Sequence, residues 1–144
     1  MLIRLATQDD SRDIDTAVTL AVGGCKDRDA AATAFAVGAA MALGQPVIVA
    51  EQEEPRSIVG LAAWVRHPGA TTPRTELAEA VAWVTPLHRR KGICREMREL
   101  AAKHARESGF TDVYTRMPVT SIEGIEASRK TGFRTVTLEM RRAL

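Results

Sequence analysis

Val84-Thr-Pro-Leu-His-Arg-Arg-Lys-Gly-Ile-Cys94 is the stretch on which the reading of this chain turns. An apolar run ends at Val84, a basic turn follows, and a helical pattern begins at Gly92. The start of a helix leaves unpaired backbone N–H groups and the positive end of the macrodipole. Gly92 has no side chain, so a ligand can approach the backbone there. Arg89, Arg90 and Lys91 surround the opening. These features make an anion site suited to phosphate or diphosphate. The spacing is not that of a Walker P-loop, and the other glycines of a dinucleotide fingerprint are missing. The competing reading of these residues alone is a solvated basic turn.

Working outward, Glu76–Val84 reads as the strand that feeds the turn, and Ile93, Met97, Leu100, Ala101 and Ala105 define the amphipathic helix that leaves it. Upstream, Leu2–Ala6 reads as a short strand. Thr7-Gln-Asp-Asp10 fits a capping box, followed by a helix through Ile14, Ala17, Val18 and Ala21 that Gly23-Gly24 stops. Asp27 or Asp29 caps a second helix running to Leu43. It is apolar nearly all round and is therefore expected to be deeply packed. Val47–Glu51 and Ser57–Arg66 read as strands joined by a turn at Glu53–Arg56, and His67–Arg74 as a loop. Downstream come a strand over Asp112–Arg116, a helix over Ser121–Lys130 and an extended segment over Phe133–Arg142. The order β-α-α-β-β-β-α-β-α-β predicts an α/β (α+β) domain, a mixed sheet with helices packed on it.

The chain has 144 residues, 45% hydrophobic and 26% charged. That is one domain over residues 1–144, with enough chain for a single core. The apolar run Ala30–Leu43 is shorter than the roughly 20 residues a membrane span needs. No secretory leader is visible at the N-terminus. Cys25 and Cys94 lack metal-ligand spacing and are too few for a disulfide framework, which fits a cytoplasmic protein and no metal site. A net charge of +2 from 20 basic and 18 acidic side chains is too balanced for a protein whose main partner is a nucleic-acid backbone.

Arg89-x-x-Gly92-x-Cys94, placed after a strand ending in Val84-x-Pro86, resembles motif A of the GNAT superfamily of acyl-CoA-dependent N-acetyltransferases, [RQ]-x-x-G-x-[GA]. Downstream, Ser121-Ile-Glu-Gly-Ile-Glu-Ala-Ser128-Arg-Lys130-Thr-Gly132-Phe133 is similar to the family's motif B, N-x-x-A-x-x-L-Y-x-K-x-G-F, matching at Lys130, Gly132 and Phe133. The resemblance spans essentially the whole chain. It implies a mostly antiparallel sheet of roughly six to seven strands flanked by about four helices. It also implies acetyl-CoA as co-substrate and a primary amine as acceptor, on a small molecule or a protein, with direct attack in a ternary complex.

The resemblance assigns roles residue by residue. Arg89, Arg90, Lys91, Gly92, Ile93 and Cys94 would hold the CoA diphosphate, with Ser121 at the start of motif B. The strand holding Val84 would splay from the strand holding Tyr114, and backbone around Trp83 and Val84 would bind the pantetheine. The family often places a base on this strand. Glu79 and Glu76 differ by three residues and so point to opposite faces. Glu79 is favoured because it interrupts an apolar strand, where burial raises a carboxyl pKa. Ser128 stands where the family often has a tyrosine acid. Ser128 positions a water, Tyr114 substitutes, or the thiolate leaves without a protein acid.

Arg95 and Arg98 extend the basic cluster. His88 reads as an exposed loop histidine and His104 as a boundary residue. Cys94 reads as a small packed residue, because no His–Asp arrangement supports a nucleophile. Acceptor specificity is expected from Gly23–Gly44 and His67–Thr75. The short tail after Phe133 leaves an edge for a homodimer. Two other functions compete: a catalytically degenerate acyl-CoA-binding sensor of the same fold, and a protein that binds RNA.

Overall fold

Five strands lie side by side in sequence order: Leu2–Leu5 (β1), Val47–Gln52 (β2), Ser57–Arg66 (β3), Glu76–Val84 (β4) and Asp112–Tyr114 (β5). The first three pairings are antiparallel and β4–β5 is parallel. The computed structural model describes residues 1–23, 29–66, 76–117, 119–136, 140 and 142–144. Among these are four α-helices: Ser11–Val22 (α1), Ala30–Ala42 (α2), Ile93–Glu107 (α3) and Ile122–Lys130 (α4).

Among the described residues the sheet thus has five strands, not the six to seven expected. β5 ends at Tyr114 rather than Arg116. Residues 133–136 form no strand, and residues 137–139 and 141 lie outside the described part, as does the segment 67–75, which includes the loop expected over His67–Arg74. The mixed sheet, the mostly antiparallel pairing and the four helices agree with the sequence.

Side-chain alternation sorts the core into two layers. Val47, Val49, Leu61, Ala63 and Val81 face α1 and α2; Ile48, Ala50, Ala62, Trp64, Leu77 and Val84 face α3. β2 and β3 bury both faces, which is why they read as nearly continuous apolar runs. Gly60 lets α3 come close. A Cβ there would lie 3.1 Å from Ala50 Cβ and 3.2 Å from Met97 Cε. In β4 the register slips by one: Ala63 pairs with Val81, but Trp64 pairs with Glu79. This bulge moves the strand's side chains to the other face, so Leu77 joins the α3 layer while Val81 joins the α1–α2 layer.

Helix α2 is not deeply packed. Val37 and Ala40 are its buried residues, whereas Phe35 is 80% exposed. An all-round apolar composition contains no stripe to say which face turns inward. The cap expectation held at Asp29, whose carboxylate accepts from Ala32 N–H at 3.0 Å; Asp27 lies outside the described residues.

Asp10 carries the acidic half of the capping box and accepts from the Thr7 N–H at 2.7 Å. It also joins a cluster of ion pairs in which the carboxylates are buried and Arg56 is exposed. Arg4 donates to both its oxygens, at 2.7 and 2.8 Å, and to Glu51 at 2.9 Å, while Arg56 reaches Glu51 at 2.6 Å. Glu51, read as the last residue of a strand, lies buried within β2. The Arg4 bonds lower both carboxyl pKa values, that of Asp10 from 3.8 to about 2. A depressed folded-state pKa contributes stability above the unfolded value, lost as pH falls through the folded one. We expect Asp10 to contribute about 2 kcal/mol at pH 7 that disappears between roughly pH 4 and pH 2. Urea unfolding at both pH values, with Asp10→Asn as the comparison, checks this; an unchanged pH dependence in the variant overturns it.

Candidate functional site

Pro86–His88 forms a short 3-10 turn after β4, and the chain then curls into α3 through two residues in the left-handed region, Arg90 at φ 62° and Gly92 at φ 82°. A glycine adopts this geometry without cost, while an arginine there is a strained choice. Arg89 Nε donates to Val84 O at 3.0 Å and folds the turn back onto the strand end. Gly92 is the N-cap of α3, so the first-turn N–H groups that follow it have no intrahelical acceptor. A Cβ on Gly92 would meet nothing nearer than Glu96 Oε1 at 4.0 Å, so the mouth of the loop is open. Arg89, Arg90 and Lys91 are exposed around it, Ile93 is buried beneath it, and Cys94 is half-buried. The residues fit a diphosphate.

The turn is braced from below. His88 Nδ1 lies 2.8 Å from Thr85 Oγ1, and Nε2 lies 3.1 Å from Gln52 Oε1. Gln52 donates its amide to Glu54 O at 2.9 Å, which directs its oxygen toward the imidazole. Nε2 of His88 therefore donates to Gln52 Oε1. It is half-buried and doubly partnered, not the exposed loop histidine that its position suggested. His104 fits its boundary reading, with Nε2 3.2 Å from Gly44 O.

Strand β4 pairs with β5 only over Glu76–Ala78 against Asp112–Tyr114. Among the described residues no further β4–β5 pair follows Ala78 and Tyr114, and β4 runs on to Val84 and the Gly92 loop. β5 ends there while β4 continues, on the side where a gap between the two strands was expected. Trp83 packs against the α1–α2 layer, so only its backbone is available to the gap.

The two glutamates of β4 do face opposite ways. Glu79 shares the α3 face with Leu77, while Glu76 and Tyr114 lie on the α1–α2 face, the tyrosine hydroxyl 3.5 Å from Glu76 Oε1. Glu79 does not stand free. Arg98 grips it with Nε at 2.9 Å and Nη2 at 2.8 Å, and Thr115 Oγ1 donates to Oε1 at 2.9 Å. The side chains are 8% and 13% exposed for Glu79 and Arg98. Burial acts to lower the Arg98 pKa, but the Glu79 carboxylate outweighs it and the net shift is upward.

Ser128 joins the same cluster. It is 4% exposed, accepts from Arg98 Nη1 at 3.4 Å and directs its hydroxyl at Met117 Sδ, 3.7 Å away. Ser121 is the N-cap of α4 but makes no side-chain cap bond. Arg98 had been grouped with the exposed basic residues. Its position between Cys94 and Ala101, on the apolar stripe of α3, was the signal that it faces the sheet. Burial pushes the Cys94 thiol pKa up, which disfavours the nucleophilic thiolate.

Solved structures share this fold. A ribosomal-protein-alanine N-acetyltransferase from Brucella melitensis superposes with a TM-score of 0.77 at 23% identity, covering 93% of this chain and 85% of that one. The yncA protein of Salmonella typhimurium, described as an acetyltransferase and solved with its cofactor acetyl-CoA, gives 0.75 at 22%, covering 92% and 79%. An aminoglycoside acetyltransferase from an uncultured soil metagenomic sample, in complex with sisomicin, gives 0.72 at 18%, covering 99% and 95%. No curated protein matches the chain at a significant level. The sequence profile of the acetyltransferase (GNAT) family matches residues 26–133, a span containing the Gly92 loop, β4, β5 and α4, and the chain belongs to that family.

Proposed function

We propose that this protein transfers an acetyl group from acetyl-CoA to a primary amine by direct attack in a ternary complex. The observation that carries the reading is the end of the β4–β5 ladder at Ala78 and Tyr114 while β4 runs on to the Gly92 loop at the start of α3. The loop N–H groups and Arg89, Arg90 and Lys91 hold the diphosphate, with Ile93 and Cys94 as the first residues of the helix behind it. Backbone of Trp83 and Val84 along the open edge binds the pantetheine and donates to the thioester oxygen.

The acceptor nitrogen attacks the thioester carbon, the C–S bond breaks, and the proton lost by the amine balances the thiolate that leaves. Both Glu79 oxygens are held by Arg98 and Thr115, so we assign the amine proton to Glu76, beside the Tyr114 hydroxyl on the α1–α2 face. Tyr114 is then the protein acid nearest the acceptor side, and Ser128 takes no proton. Acceptors named for similar folds, a protein alanine and an aminoglycoside, are both amines.

The burial of Ser128 behind Met117 favours a second reading, an acyl-CoA-binding module without turnover. Calorimetry with acetyl-CoA tests the shared premise: we expect micromolar binding. An amine screen for CoA release separates the two readings. Absence of acetyl-CoA binding overturns both.

A further inference from the structure

Among the described residues, Arg90 is the only one besides glycine with a positive φ, 62°. A residue with a Cβ occupies that region only where its surroundings hold it there. Backbone turned in this way lets successive N–H groups converge on an anion. The loop itself supplies little hold, because Arg89, Arg90, Lys91 and Gly92 are all exposed. The hold must come from the stem below it.

The stem is tied to a distant part of the chain. His88, two residues before Arg90, is half-buried, and its ring bridges Thr85 Oγ1 at 2.8 Å and Gln52 Oε1 at 3.1 Å. Gln52 lies 36 residues upstream, at the end of β2. It is itself fixed. Its backbone pairs with Ser57 across the hairpin, and its amide donates to Glu54 O at 2.9 Å. Its neighbour Glu51 accepts from Arg4 at 2.9 Å and from Arg56 at 2.6 Å. The end of the β2–β3 hairpin is therefore a rigid post, and His88 fastens the stem to it. Thr85 N–H adds a bond to Val59 O of β3 at 2.8 Å.

We infer that Gln52 and His88 are positioning residues: they hold Arg90 in its left-handed conformation and so keep the loop shaped for a diphosphate before the ligand arrives. Without the post the stem turns, Arg90 relaxes to negative φ, and binding must re-form the loop at its own cost. The inference rests on the acyl-CoA reading above and adds to it residues that act on the loop rather than on the ligand.

The test is calorimetric titration of the whole chain with free CoA, which needs neither an acyl group nor an acceptor. Gln52→Ala weakens CoA binding about five- to tenfold, the scale of one hydrogen bond lost from a preorganised site, while its thermal midpoint stays close to that of the wild type. His88→Gln, which keeps a side-chain N–H for Gln52, loses less than His88→Leu, which keeps none. The decisive readout is the coupling to Arg90. Arg90→Gly removes a cation and weakens CoA by itself, but glycine takes positive φ freely and needs no post. In that background Gln52→Ala costs less than about twofold. A role for Gln52 in stability alone would give the same loss in both backgrounds. Should Gln52→Ala not fold, His88→Leu and His88→Gln in the two Arg90 backgrounds decide the question in the same way. Equal losses in both backgrounds, or no loss from Gln52→Ala, overturn the inference and leave the acyl-CoA reading standing. Failure of the wild type to bind either free CoA or acetyl-CoA removes that reading and this inference with it.

Discussion

Gly92→Glu removes acetyl-CoA binding. Gly92 sits at φ 82°, in the left-handed region, where an L side chain is strained by about 1–2 kcal/mol. A glutamate also brings a negative charge into the mouth proposed for the diphosphate, next to Glu96, whose Oε1 lies 4.0 Å from where the Cβ would be. Repulsion at such distances adds about 1–4 kcal/mol. Together these weaken the dissociation constant by about a hundredfold or more. Space is not the reason, since the position is open. Gly92→Ala therefore separates the terms: it bears the strain without the charge and loses no more than about tenfold. Titration calorimetry measures both variants, and circular dichroism checks that each is folded. Full-strength binding by a folded Gly92→Glu protein would place the cofactor elsewhere.

Arg98→Met costs the fold more than any loop substitution. Glu79 is 8% exposed on its side chain, and without the guanidinium it is left as a buried carboxylate with only the Thr115 hydroxyl. Removing one partner of a buried pair costs about 3–5 kcal/mol. For a domain of this size, that lowers the thermal midpoint by about 10 °C. The double variant Arg98→Met, Glu79→Leu restores most of the loss, because an apolar pair of similar volume needs no compensation. A thermal melt of the two single variants and the double variant measures the coupling. If Arg98→Met melts with the wild type, the ion pair contributes nothing to stability. The cost is expected because the pair joins four segments: β4 through Glu79, α3 through Arg98, the end of β5 through Thr115, and α4 through Ser128.

Much of this arrangement was legible in the sequence. The turn ending in Gly92 was read as the start of a helix, and Gly92 caps α3 in the geometry only glycine takes easily. The period of Ile93, Met97, Ala101 and Ala105 marked the buried face of α3. Glu79 stood out as a charge inside an apolar strand. Its partner was also in view, since Arg98 is a charge on the apolar stripe of α3, but nothing local said that the two meet. The positions of Glu76, Tyr114 and Ser128 were less legible still. The bulge in β4 moves side chains across the sheet, and no residue near Ala80 advertises it. The exposed side of α2 was unreadable for a different reason, because a helix apolar on all sides does not encode an inside.

Sequence by itself determined the elements whose causes are local. Turns, caps and periodicity act over a few residues, so the strand–loop–helix around Gly92, the four helices and the family resemblance follow from them. Tertiary structure alone decided what depends on residues far apart in the chain. It ended the β4–β5 ladder at Ala78 and Tyr114, and it set Arg98 across the sheet from solvent to lock Glu79 and Thr115. It also enclosed Ser128 behind Met117. Those outcomes are balances between burying a charge and pairing it, and the balance exists only once separate elements have packed against one another.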